Sequence, residues 1–299
     1  MRPVAFVLLV AVVTATSVRG QPDLHILKTH FPTVGDKVKV TVEEKTEIKI
    51  TVSGAKVPTV VTTLKKLEYE DEVIAVGDKK IPSRLKRHYT KATVKADGKD
   101  SAFKIEGKTV VIFNGFGDDF TYTIEKEKTK LDPDSLALLD GEFKKGNRER
   151  LIEVLHPTTK AVKVNDPWKL DSVKLVGVLN DNYDTDFKVE KPKGEGKLVK
   201  LNPLPKFDPK KEPRPKQTGV IEITADAQVV STDKATFELK GGTLSFTFTG
   251  EGVLDGSAPQ GKSTAVVKIK GASTIDGQAV DLEVIVTEVR TMEPRTGKK

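Results

Sequence analysis

The chain has 299 residues, 37% of them hydrophobic and 31% charged, with a formal net charge of +7; that is long enough for two domains that each bury a core. Its apolar residues are spaced periodically rather than depleted, which excludes a disordered chain. Cysteine is absent, which excludes a disulfide framework, a thiolate metal site, a cysteine nucleophile and the lipid-modified cysteine of a lipoprotein.

The first element is a secretory signal over residues 1–20. Arg2 supplies the positive start, Val4 to Val13 is an apolar run too short to span a bilayer, and Val18 and Gly20 precede a cut at Gln21. Its removal takes Arg2 and Arg19 from the 50 basic residues and leaves 48 against 43 acidic ones, a net +5. An exported chain without cysteine or an Asn-x-Ser/Thr acceptor points to a bacterial, periplasmic or extracellular protein. The residual positive charge suits an anionic envelope polymer as partner. Nothing in the sequence points to nucleic acid, and no other apolar run is long enough to cross a membrane.

Residues 21–36 form a lead-in without a period. Asp36 to Val52 then alternates strictly: Val38, Val40, Val42, Ile48, Ile50 and Val52 share one parity, and lysines and glutamates take the other, as in a strand with one buried and one wet face. Uninterrupted, such a strand would exceed ~45 Å, and Glu43-Glu44-Lys45 is the candidate turn within it. Strands follow over Thr59–Tyr69, Glu72–Val76, Arg84–Ala96, Ala102–Glu106, Thr109–Phe113 and Phe120–Glu125, with turns at Gly77-Asp78 and Asp97-Gly98.

The stretch from Asp132 to Pro157 is a helical connector. Asp132 caps, Pro133 occupies the first helical position, and Leu136, Leu139 and Phe143, then Leu151, Ile152 and Leu155, recur at helical spacing, with a break at Gly146-Asn147. Beyond it, Trp168 to Leu179 reads as a strand and residues 180–186 as an acidic loop. Lys191 to Gln217, rich in Pro, Lys and Gly, reads as an insertion. Strands close the chain over Val220–Val230, Ala235–Lys240, Thr243–Thr249, Thr264–Lys270 and Ala279–Val289, ahead of a basic tail from Met292.

The two halves can be laid over each other. Residues 33–39 resemble 163–169 at an offset of 130, and residues 92–109 resemble 227–243 with Phe103 on Phe237 at an offset of 134. A near-constant offset argues for internal duplication. The expected fold is mainly β: two related, antiparallel, curved sheets of half-barrel type over residues 21–131 and 158–299, joined by the connector over residues 132–157, with the insertion at residues 191–217.

No motif carries convincing chemistry. Gly256 to Ser263 satisfies the phosphate-loop pattern, but the residues after Lys262-Ser263 are β-branched where that loop needs a helix, so the segment reads as a hairpin loop. Asp181, Asp184 and Asp186 could offer oxygen to calcium but lack the glycine and terminal glutamate of an EF-hand loop. His25, His30, His88 and His156 show no metal-ligand spacing. Trp168, the single tryptophan, reads as an anchor packing beneath the connector. No catalytic, ligand-binding or metal residue is therefore assigned, and no cofactor.

The connector with Pro157, Val162-Lys163-Val164-Asn165-Asp166 and Trp168 resembles a bacterial family of exported β-rich proteins of unknown function. Its members carry a Pro, then Val-Lys-Val-Gly-Asp, then a Trp after a short helix. Asn165 stands where that pattern has Gly, and Asn also tolerates a left-handed turn. The resemblance implies no activity and transfers no site residues. At the level of fold the long strands are similar to periplasmic lipoprotein-carrier half-barrels. The leading reading is an exported, non-enzymatic binding or envelope-associated module. The alternatives are a carrier of a lipid or other apolar ligand, and a hydrolase using a carboxylate pair.

Overall fold

Alternation of apolar and charged side chains produces most of the architecture. In the N-terminal part it gives β2 (Lys37–Val52), β3 (Thr59–Val76), β4 (Pro82–Ala96), the short β5 (Lys99–Ala102), β6 (Thr109–Asn114) and β7 (Phe120–Ile124). The C-terminal part holds β9 (Pro167–Lys169), β10 (Phe187–Leu201), β11 (Thr218–Thr232), β12 (Glu238–Val253), β13 (Gly261–Ile275) and β14 (Gln278–Pro294). β1 (His25–Ile26) and β8 (Ala161–Val162) form a separate two-stranded sheet. The computed structural model describes residues 25–27, 30–77, 82–96, 98–115, 120–127, 130–143, 161–181, 187–202, 217–232, 238–254, 256–275 and 277–295. The signal segment, the second predicted helix around Leu151 and Leu155, His156, Asp184, Asp186 and the end of the predicted insertion lie outside the described residues.

The twelve strands other than β1 and β8 make one antiparallel sheet, in the order β7-β6-β4-β3-β2-β14-β13-β12-β11-β10-β9, with β5 beside β4. The expected mainly β, antiparallel class is what forms. The two halves meet edge to edge, because β14 pairs β2 along its length, from Val280 opposite Val52 to Pro294 opposite Val38. The sheet stays open, ending at β7 and β9. The order β7-β6-β4-β3-β2 on one side of β14 runs parallel to β13-β12-β11-β10-β9 on the other.

One turn recurs across the halves, and so does a glycine with positive φ, in a turn at Gly107 and at a register shift within β12 at Gly241. Gly35 has a φ of 90° and Asn165 one of 67°, the left-handed region that Gly and Asn tolerate. Asp36 N donates to Thr33 O at 3.0 Å and Asp166 N to Lys163 O at 3.3 Å. Gly35 N reaches Val73 O in β3, and Asn165 N reaches Leu198 O in β10, strands holding equivalent places in the order. Gly107 (φ 75°) follows the buried Ile105, and Gly241 (φ 84°) follows the buried Leu239.

Several expectations need correcting. Glu43-Glu44-Lys45 is no turn: β2 runs straight through it, because Glu44 stays on the apolar face and finds a cation there. Residues 104–107 turn rather than extend, and tuck Ile105 into the core. The tail does not begin at Met292: β14 continues to Pro294 and Met292 is buried.

Residues 191–201 of the predicted insertion belong to β10. Pro192, Gly194, Gly196 and Leu198 share the inward parity, so the strand alternates, but its inward positions carry little side chain. The register shift between Glu190 and Lys193 accommodates Pro192 at a bulge, where a missing N–H costs no ladder bond. The space over the glycines is filled from outside. Trp168 lies over Gly196, and Leu170 Cδ1 comes within 2.7 Å of where a Cβ on Gly194 would stand. Trp168 thus packs against the core of the second half, on β10.

The predicted strand Trp168–Leu179 is instead β9 followed by α2 (Ser172–Asp181). Asp171 Oδ1 accepts from Val173 N at 3.0 Å and Lys174 N at 3.1 Å, an N-cap that turns the chain into helix, and Leu175 is buried. Asp171→Ala is expected to cost about 1 kcal/mol, read as a lower urea midpoint with an unchanged m-value.

The connector begins as predicted with α1 (Pro133–Phe143), where Asp132 Oδ1 accepts from Ser135 N at 3.1 Å. Its buried face differs from the predicted stripe. Ser135, Leu138, Leu139 and Glu142 point inward, whereas Leu136 is 39% exposed. A helix that buries a glutamate needs a cation beneath it.

Candidate functional site

That cation is Arg87 on β4, 2% exposed and, among the described residues, the largest of the fully buried side chains. Arg87 Nε and Nη2 donate to the two carboxylate oxygens of Asp71 at 2.7 and 2.9 Å, a bidentate pair across β3 and β4, and Nη1 donates to Glu142 Oε2. Its guanidinium carbon lies 3.7 Å from the Tyr69 ring centroid, 4.9 Å from that of Phe143 and 5.7 Å from that of Tyr89. Tyr69 and Tyr89 stand directly opposite across the strands, with centroids 5.5 Å apart and planes tilted by 58°. Desolvation alone would make this charge very costly; two carboxylates and the faces of three rings replace water.

A second set of charges adjoins it at the seam of the halves. Glu44 on β2 is directly opposite Lys65 on β3 and Glu288 on β14. Lys65 Nζ donates to Glu44 Oε2 at 2.8 Å, and Arg290 Nε donates to Glu288 Oε1 at 3.2 Å. All four are almost wholly buried. Burial works against charge on Lys65, but the Glu44 carboxylate outweighs it and leaves the ammonium held above its usual range. Burial likewise opposes the Glu142 carboxylate, yet Arg87 and Arg290 leave it below the usual range. Burial pushes the Tyr69 hydroxyl up to about 12.

This arrangement braces the fold. The inward carboxylates stand against cations, and the cations against carboxylates, in a space closed by α1. The cluster ties the helix to β3 and β4 and fastens β2 to β3 and β14. The outer face is different in kind: Glu283 gathers Lys268 at 2.7 Å, Lys270 at 3.1 Å and Lys49 at 3.5 Å, and the Lys268 hydrogen bond leads in holding its carboxyl down to about 2. Lys37–Glu72, Lys66–Glu43 and Lys197–Glu222 continue the cross-strand pairing in the open, where each pair adds little stability.

The residues weighed from sequence do not converge. After Gly256 the chain enters β13 at Gly261, so Lys262 and Ser263 lie in a strand and no helix faces a phosphate. His30 Nδ1 lies 2.8 Å from Gly256 O and its Nε2 3.3 Å from Asp36 Oδ2, which ties the lead-in to that hairpin loop. His88 meets Thr109 Oγ1 at 3.1 Å on the exposed side of β4, and His25 sits in β1. Asp181 ends α2, and the rest of the acidic loop is outside the described residues. Among the described residues no group of three His, Asp or Glu is placed to hold a metal ion. No described helix is long and apolar enough to cross a membrane, which says nothing of strands.

No family model matches the chain, and no curated protein does. Among solved structures, an outer membrane channel from Pseudomonas putida F1 is similar at 8% identity, covering 88% of this chain and 97% of that one with a TM-score of 0.19. A chain from work on the asymmetric conductivity of engineered proteins is similar at 8% identity, covering 86% of this chain and all of that one, also with a TM-score of 0.19. Scores of this size carry no weight for fold or function.

Proposed function

We propose that the chain is an exported, non-enzymatic protein of two related β-rich repeats that acts as a binding or envelope-associated module. One observation carries this reading: the ionisable groups that the fold draws together on its inner face are shut from solvent and engaged with each other, which leaves the broad outer face of the sheet to meet a partner. The recurring turns at Gly35 and Asn165, and the parallel strand order on either side of β14, support the repeat. The pattern of residues 1–20 supports export, and the net charge left after its removal suits an anionic envelope polymer.

The inward carboxylates Glu44, Glu142 and Glu288 stand against Lys65, Arg87 and Arg290, which argues against the hydrolase alternative. The apolar inward side chains of the second half, Leu198, Ile223, Phe246 and Phe248 among them, are 0–5% exposed, so they touch neighbours rather than a wide cavity, which argues against the carrier.

Expressed with its own N-terminus in a Gram-negative host, the protein is expected in the periplasmic fraction or medium, beginning at Gln21, and to co-sediment with isolated envelopes in a salt-sensitive way. A full-length chain retained in the cytoplasm would overturn the export reading. Failure to co-sediment, with stoichiometric lipid in an organic extract, would favour the carrier instead.

A further inference from the structure

The seam between β2 and β14 places two carboxylates face to face in the protein interior. Glu44 and Glu288 are register partners, 2% and 3% exposed. Like charges directly opposite in a sheet repel, and burial removes the water that would screen them. Within the cluster four carboxylates (Glu44, Asp71, Glu142 and Glu288) meet three cations (Lys65, Arg87 and Arg290). Asp71 and Glu142 engage Arg87, and Lys65 engages Glu44. That leaves Glu288 with Arg290 alone, a neighbour on its own strand at 3.2 Å.

We propose that the seam is a proton-operated joint: a proton carried by Glu288, directly opposite Glu44, keeps β2 and β14 zipped, and its loss loosens the pairing that unites the two halves of the sheet. The charged groups facing Glu288 are Glu44 from β2, Lys65 from β3, Glu142 from α1 and Arg290 from its own strand, while β13 presents only Ala265 opposite it.

The sign follows from where the proton sits. Burial, against the pull of Arg290 and with the push of Glu44, raises the Glu288 carboxyl from 4.5 to about 7. Between these values the closed seam holds a proton that an opened one releases, so this contribution is complete below 4.5 and is lost as pH rises through 7. Glu142, held low by Arg87 and Arg290, acts in the opposite sense in more acidic solution.

Amide exchange of the full chain, corrected for intrinsic rates, tests the joint. Protection of β2 and β14 beside Glu44 and Glu288 is expected to fall about tenfold between pH 6 and pH 8, the ratio that these two values imply, while β11–β12 stays level. In Glu288→Gln, which keeps the shape of the protonated group, the seam is expected to be equally protected at both pH values. Seam protection that does not change with pH in the unmodified protein, or that falls as far in E288Q, overturns the proposal. Should E288Q not fold, carboxyl NMR of the unmodified protein decides. A glutamate titrating near neutrality, mirrored in the amide shifts of Val289 and Lys45, supports the joint; a Glu288 already ionised at about pH 5.5 overturns it.

Discussion

Arg87→Leu is expected to cost the folded state about 3–5 kcal/mol, the largest loss from any single side chain of the cluster. Leucine fills part of the volume but strands two carboxylates. Asp71 loses both of its donors from the guanidinium and Glu142 is left buried without its cation. The cation over Tyr69 and Phe143 goes as well, about 0.5–2 kcal/mol of attraction when desolvated. The cost belongs to the groups left behind, so it should fall when they are removed too. The triple variant Arg87→Leu with Asp71→Asn and Glu142→Leu is expected to recover most of it, since a buried ion set is often no better than apolar packing of the same volume. Urea unfolding followed by far-ultraviolet circular dichroism gives both numbers. A loss under about 1 kcal/mol for the single change would mean that Arg87 is hydrated in solution and that the cluster is no brace.

The same cluster shows how much could be read from sequence. Parity alone marks the inner face: Val40 and Val42 lie on it, and so does Glu44. Val284 and Val286 lie on it, and so do Glu288 and Arg290. A charge on the apolar parity of a long strand is a signal, because it must either end the strand or find a partner inside. At Glu44 the sequence suggests the first outcome and the second holds. What period could not supply was the partner, since Lys65, Arg87 and Glu142 come from separate elements whose register only the folded sheet fixes. The turns were legible for a local reason: Gly98 and Asn165 carry their backbone preference with them. The helix α2 was hidden because its apolar residues, Val173, Leu175, Val176, Val178 and Leu179, also suit a strand, and only the cap at Asp171 separates the two. β10 was hidden for the opposite reason, because half of its inward positions are blank.

Those blanks carry the second large effect. Gly196→Ala is expected to destabilise the protein by about 2–3 kcal/mol, at the upper end of what overpacking costs, and to shift the emission of the single tryptophan to longer wavelength. A Cβ at Gly196 would fall within the van der Waals envelope of Trp168 Cε2, Cζ2 and Nε1, ring atoms that cannot yield as the end of a flexible chain can. The ring must therefore lift from the sheet, and β9 with it, since Trp168 is the register partner of Gly196 in the short ladder from Glu195–Lys169 to Lys197–Pro167. The backbone of Gly196 is not in the left-handed region, so the penalty comes from the ring and not from φ. This gives a clean discriminator. In a Trp168→Leu background the same Gly196→Ala change should cost less than about 0.5 kcal/mol, leaving a coupling energy of around 2 kcal/mol between the two positions. Additive losses would show that the added methyl disturbs β10 itself, and that Trp168 rests on the sheet without being seated in it.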